Sequence, residues 1–118
     1  MPHDFLPQLI ARKAAGKKSL AILIDPDKAH PDGMLDLLQL ANQHGVDAFL
    51  VGGSLLKDDF IQQLVPLMKA NTDIPVILFP GGVQQIVPTA DGILFLSLIS
   101  GRNPDLLIGQ QVLAAPLL

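Results

Sequence analysis

Four short runs, residues 20–24, 48–51, 76–79 and 93–96, are apolar at nearly every position and rich in β-forming side chains, and they constrain this 118-residue chain more than any other feature. A strand with one solvated face alternates apolar and polar residues. Unbroken apolar runs need cover on both faces, which is the signature of a parallel sheet flanked by helices. Each run is closed by Pro, Gly or a polar residue, and none approaches the roughly 20 continuous apolar residues of a membrane helix. A mean hydropathy of +0.43 therefore reads as a buried sheet.

The segments between the runs carry helical spacing. A first helix is expected over residues 5–15, ended by Gly16. A second starts at Pro31-Asp32, places Met34, Leu35, Leu37, Leu38 and Ala41 at helical intervals, and stops at His44-Gly45. A third follows Asp58-Asp59, with Phe60, Ile61, Leu64, Leu67 and Met68 on one stripe and Pro66 expected to kink it. Residues 82–90 leave room for a single helical turn. A fourth helix is marked by Asn103 as N-cap, Pro104 at the first helical position and Asp105 in the first turn, followed by Leu106, Leu107, Ile108 and Val112.

The order is one helix and then βα four times, which gives an α/β fold with parallel strands and right-handed crossovers. Two architectures share that order: a small open doubly wound sheet, and half of an eight-stranded βα barrel, whose complete form takes about 250 residues. Residues 1–118 are expected to form one unit, because two separate cores would each be too small. Hydrophobic residues at 49% and charged residues at 16% exclude a disordered chain. A net charge of −3 has the wrong sign for a nucleic-acid binder. The absence of Cys excludes disulfides, thiolate metal sites and thiol catalysis. The amino terminus shows no basic start leading into an apolar run, so no export signal is expected and a cytoplasmic location follows.

In parallel α/β folds ligands gather at the carboxyl ends of the strands. Those ends read Asp25-Pro26-Asp27-Lys28, Gly52-Gly53-Ser54, Pro80-Gly81-Gly82, and Ser97 with Ser100-Gly101-Arg102-Asn103 beyond it. Asp25 is a hard oxygen ligand in a position that suits Mg²⁺, and Ser54 offers a hydroxyl to the metal or to a phosphate; the same Asp-Pro-Asp also suits a turn whose carboxylates bond nearby amides. The paired glycines either let a phosphate approach the backbone or only supply positive φ. Arg102 is placed either to grip a diphosphate or to sit solvated before a helix. Lys28 reads as solvated, and His3, His30 and His44 share no ligand spacing. Walker, nucleophile-elbow and dinucleotide fingerprints are absent.

Taken together, residues 23–28 (Leu-Ile-Asp-Pro-Asp-Lys), 51–54 (Val-Gly-Gly-Ser), 76–81 (Val-Ile-Leu-Phe-Pro-Gly), 90–97 (Ala-Asp-Gly-Ile-Leu-Phe-Leu-Ser) and 100–105 (Ser-Gly-Arg-Asn-Pro-Asp), with Ile108-Gly109-Gln110, resemble the geranylgeranylglyceryl phosphate synthase family. The resemblance covers essentially the whole chain. It implies a βα (TIM-type) barrel and a Mg²⁺-dependent prenyltransferase that joins a long prenyl diphosphate to sn-glycerol 1-phosphate through an ether bond, in lipid biosynthesis. It also implies that Asp25 and Ser54 bind the Mg²⁺, and that an apolar groove, with Phe79, Phe95 and Leu98 as candidate lining, holds the prenyl chain. Members of that family continue for roughly four more βα units and place much of their glycerol-phosphate site there, including a Tyr-Leu-Glu strand end. This chain contains neither Tyr nor Glu, so it is expected to correspond to the first four units, an N-terminal half-barrel. Two other readings remain open: a non-catalytic half-barrel that assembles as a homo-oligomer or with another chain, and a small phosphate-binding α/β module. Strand order separates the last from the others, since a doubly wound sheet reverses around its first strand.

Overall fold

The computed structural model describes residues 4–53 and 59–118. Helix α1 (Phe5–Ala14) leads into strand β1 (Ala21–Ile24), followed by α2 (Pro31–His44), β2 (Ala48–Val51), α3 (Ile61–Asn71), β3 (Val76–Leu78), β4 (Gly92–Ile93) and α4 (Gly109–Ala114). The four strands form one sheet in the order β1-β2-β3-β4, parallel at every pairing, with Ile24, Val51, Leu78 and Ile93 in one lateral row. Strand order thus follows chain order without reversal, the arrangement of a βα barrel and not of a doubly wound sheet.

Alternation along the strands sorts their side chains into two layers. Ile22, Ile24, Phe49, Val51, Val76, Leu78 and Ile93 belong to the cluster built with Met34, Leu38 and Ala41 of α2 and Ile61, Leu64, Val65 and Met68 of α3. Helix α2 ends as its sequence dictates: Gly45 adopts φ +69°, and its amide donates to the Ala41 carbonyl. Helix α3 continues through Pro66, whose ring lies exposed at the surface.

Burial on both faces holds for β3, where Ile77 is 2% exposed on the layer facing away from the helices, and at the start of β2, where Ala48 is equally buried, while Leu50 further along β2 is half-buried. It fails at β1. Leu23 is 57% exposed beside Ile24 at 6%, so on this edge strand only the helix-facing layer is buried. The fourth run also behaves differently from its composition: pairing stops after Ile93, and Leu94 and Leu96 are 45% and 62% exposed. The fourth helix is interrupted as well. Asn103 caps as expected, accepting from the Asp105 amide at 3.0 Å, but it caps a 3₁₀ turn, Pro104–Leu106, and regular helix resumes only at Gly109.

One ion pair ties three elements together. The Lys69 ammonium on α3 donates to both oxygens of Asp91 at 2.7 and 2.8 Å, and Asp91 Oδ2 also accepts from the Val76 amide at 2.8 Å. The Asp91 amide donates to the Val76 carbonyl, so the start of β4 is sewn to the start of β3 and to α3, the helix that leads into β3. The Asp91 side chain is only 5% exposed. Replacing it with Ala leaves a buried amide and an ammonium without partners, so Asp91→Ala is expected to lower the unfolding free energy by about 3 kcal/mol. Urea denaturation measures this; a loss below about 1 kcal/mol would make the pair no more than a surface contact.

Candidate functional site

The carboxyl ends of the strands are joined in succession by backbone bonds: the Gly52 amide donates to the Ile24 carbonyl at 3.2 Å, the Phe79 amide to Val51 at 2.8 Å and the Leu94 amide to Leu78 at 2.8 Å. These bonds set the strand-end loops on one rim. At the β1 end, Asp25 is half-buried, with extended backbone, and its Oδ1 accepts from the Asp27 amide at 3.0 Å, capping the 3₁₀ turn Pro26–Lys28. The turn reading of Asp-Pro-Asp is therefore realised, and it occupies one carboxylate oxygen. Lys28 is exposed.

At the β2 end, Gly52 has φ +156°, and a Cβ built on it would lie 2.0 Å from the Phe79 carbonyl oxygen and 3.2 Å from Gln85 Oε1. Only glycine allows β2 and β3 to approach this closely. The side chain of Gln85, fully buried in the 3₁₀ turn Val83–Gln85, then binds the two loops: Oε1 accepts from the Gly53 and Gly81 amides, both at 3.1 Å, and Nε2 donates to the Gly53 carbonyl at 2.8 Å. Two of the glycine amides that the sequence offered to a phosphate are thus already paired within the protein. Gln62 of α3 holds the same turn from outside, donating to the Ile86 carbonyl at 3.1 Å.

Past β3 the rim opens into a cavity of about 400 Å³ bounded by Pro80, Gly81, Phe95, Leu96, Leu98 and Leu106, with Gln110 at its side. Of the aromatic and aliphatic lining candidates, Phe95 and Leu98 face this space, and Phe79 does not line it. Its outer wall is closed by the Leu98 amide donating to the Leu106 carbonyl at 2.9 Å, and by Gln111 Nε2 donating to the Leu96 carbonyl and to Ser97 Oγ at 3.1 and 3.0 Å. Arg102 is exposed in the preceding turn and enters neither ion pair of the described residues, Arg12–Asp47 or Lys69–Asp91. Ser54 lies outside the described residues.

Sequence reasoning passed over Gln85. Its only signal was a polar residue directly before the apolar pair Ile86-Val87, in a segment too short for a helix; what buries it is the Gly52–Phe79 approach, a contact between chain segments 27 residues apart.

A parallel sheet in chain order, carrying loops and an apolar cavity at its carboxyl end, is the arrangement of four units of a TIM-type βα barrel, with a candidate site on the strand-end rim. The chain belongs to the PcrB family, whose profile matches residues 13–117. It is 50% identical over 116 residues to the geranylgeranylglyceryl phosphate synthase of Chitinophaga pinensis, covering 98% of this chain and 46% of that protein. The synthase of Korarchaeum cryptofilum is 40% identical over 103 residues, covering 87% of this chain and 42% of that one. Among solved structures, (S)-3-O-geranylgeranylglyceryl phosphate synthase from Thermoplasma acidophilum, in complex with its substrate sn-glycerol-1-phosphate, superposes with a TM-score of 0.81 at 35% identity, covering 99% of this chain and 47% of that chain. The chain spans about half the length of the relatives it matches.

Of the three glycines with positive φ among the described residues, Gly16, Gly45 and Gly52, the last two separate cleanly in what they tolerate. Nothing lies within 4 Å of a Cβ on Gly45, so Gly45→Ala is expected to cost about 1 kcal/mol, the strain of a left-handed residue. Gly52→Ala meets a backbone carbonyl and is expected to cost about 3 kcal/mol or more. Urea titrations of the two variants giving equal losses would show that the β2–β3 approach is not tight.

Proposed function

We propose that this chain carries the metal and prenyl-binding end of a Mg²⁺-dependent prenyltransferase that joins a long prenyl diphosphate to sn-glycerol 1-phosphate, releasing diphosphate. Support comes from relatives named as geranylgeranylglyceryl phosphate synthases over 98% of the chain and from a structural neighbour whose bound substrate is sn-glycerol-1-phosphate. The observation that carries it is the apolar cavity opening on the same strand-end rim as Asp25.

The residues present suit a magnesium ion. Asp25 commits one oxygen to the Asp27 amide, and Oδ2 remains to meet a hard cation. Among the described residues no three acidic or histidine side chains cluster as a closed cage would require; Mg²⁺ characteristically takes one or two carboxylates and completes its shell with water and phosphate oxygens. Asp25 would hold the ion, with Ser54 the second ligand that the family resemblance implies. When bound, Mg²⁺ neutralises the charge that develops on the departing diphosphate. In the overall reaction the C1–O bond to diphosphate breaks, the glycerol hydroxyl oxygen bonds to C1 and its proton is released. Phe95, Leu96 and Leu98 would exclude water from the allylic carbon chain, and Arg102, in the neighbouring turn, would meet diphosphate oxygens.

Asp25→Asn keeps an oxygen acceptor for the Asp27 amide and removes only the charge. Its stability is expected to match the wild type, while binding of geranylgeranyl diphosphate loses its Mg²⁺ dependence, a fall of tenfold or more by calorimetry in the presence of the ion. Equal affinity in both proteins would remove Asp25 from the site.

The exposed Leu23 on β1 favours a second reading, in which the free face of the sheet pairs with that of another copy to form a homo-oligomer. Sedimentation is then expected to show a dimer. A monodisperse monomer that binds no hydrophobic dye would exclude it.

A further inference from the structure

We propose that Gln85 is the positioning residue of this site: one buried carboxamide fixes the β2 loop against the β3 loop, and so sets the spacing between the end of the rim that takes a charged diphosphate and the cavity that takes an apolar chain. The inference rests on the functional reading above. Gln85 is fully buried, and its two polar atoms make three bonds, all to backbone groups of Gly53 and Gly81. Gly53 belongs to the loop that follows β2, directly after the residue bonded to the β1 end through Ile24. Gly81 is itself a wall of the cavity, between Pro80 and Gly82. No other side-chain bond among the described residues joins these two loops.

Its geometry makes the arrangement specific. The Oε1 atom accepts from two amides that converge from different chain segments, so it fixes their separation, while Nε2 to the Gly53 carbonyl fixes the rotation of the group. A shorter side chain could not span both loops, and an apolar one of the same volume would fill the space but leave two part-buried amides and a carbonyl without their protein partner. Gln85 touches no reacting group in this scheme. Its effect on a ligand passes through Gly53 and Gly81.

The consequence is a coupling between the two ends of one ligand. Wild-type protein is expected to bind geranylgeranyl diphosphate with Mg²⁺ at least tenfold tighter than inorganic diphosphate with Mg²⁺, because tail and head are met at the correct separation. In Gln85→Met that advantage is expected to disappear, with affinity for inorganic diphosphate held within twofold. Calorimetry with the two probes reads the difference, and a general loss of structure would weaken both alike. Gln85→Glu, whose carboxylate can accept from both amides but has no proton to donate to the Gly53 carbonyl, is expected to regain only part of the advantage.

Amide hydrogen exchange tests the clamp without any ligand. The Gly53 and Gly81 amides are expected to be protected in the wild type and to exchange at least tenfold faster in Gln85→Met. Exchange at unprotected rates in the wild-type chain overturns the proposal even if the Met variant fails to fold. So does a Met variant that retains the prenyl advantage, or one that loses both probes equally. Wild-type protein that binds neither probe overturns the functional reading, and the positioning role with it, while the exchange data separately report whether the clamp exists.

Discussion

The carboxyl ends of β2 and β3 meet because residue 52 has no side chain. A Cβ there would sit 2.0 Å from the Phe79 carbonyl oxygen, well inside any van der Waals contact, so every feature beyond that point depends on the absence of one carbon. With the strands at this distance, the turn after β3 brings the buried Gln85 to both loops, and its carboxamide oxygen pairs the Gly53 and Gly81 amides on one acceptor. The cavity wall at Pro80–Gly82 stands on that base. Steric permission comes first, polar pairing second, and the shape of the site third.

What the chain states locally is legible residue by residue. Gly45 after His44 terminates α2 as a left-handed cap, Asn103 accepts from the Asp105 amide, and the helix over 61–71 buries Ile61, Leu64 and Met68 as its spacing requires. Local rules fail where the outcome depends on what lies opposite. Residues 94–96 have the composition of a strand, but the ladder of β4 with β3 ends after two residues, while the other edge strand, β1, pairs over four. Leu106 to Val112 has the spacing of one helix, yet Leu107 and Ile108 leave regular helical geometry and the segment splits into a 3₁₀ turn and a short α-helix. The apolar pattern marks a segment for burial and says nothing about the partner.

The candidate site divides along the same line. Its candidate residues could be picked out from the strand ends, because carboxylates and glycines after apolar runs are local signals. Its polar framework could not, because Gln85 acquires its role only through segments distant in sequence. The two glycine pairs show the difference well: read alone they allow either a phosphate approach or only a positive φ, whereas in the folded chain Gly52 serves close approach and the Gly53 and Gly81 amides serve the protein itself.

The Asx turn at Asp25 also bears on how much freedom remains to be lost at the rim. A surface carboxylate samples several rotamers, and capturing a ligand freezes them at a cost of roughly 0.5 kcal/mol or more. Here the bond from the Asp27 amide restricts the Asp25 side chain in the folded chain itself, and the buried ring of Pro26 stiffens the intervening backbone. The entropy of aiming that carboxylate is spent during folding, leaving Oδ2 as an acceptor whose direction is set before anything arrives to meet it.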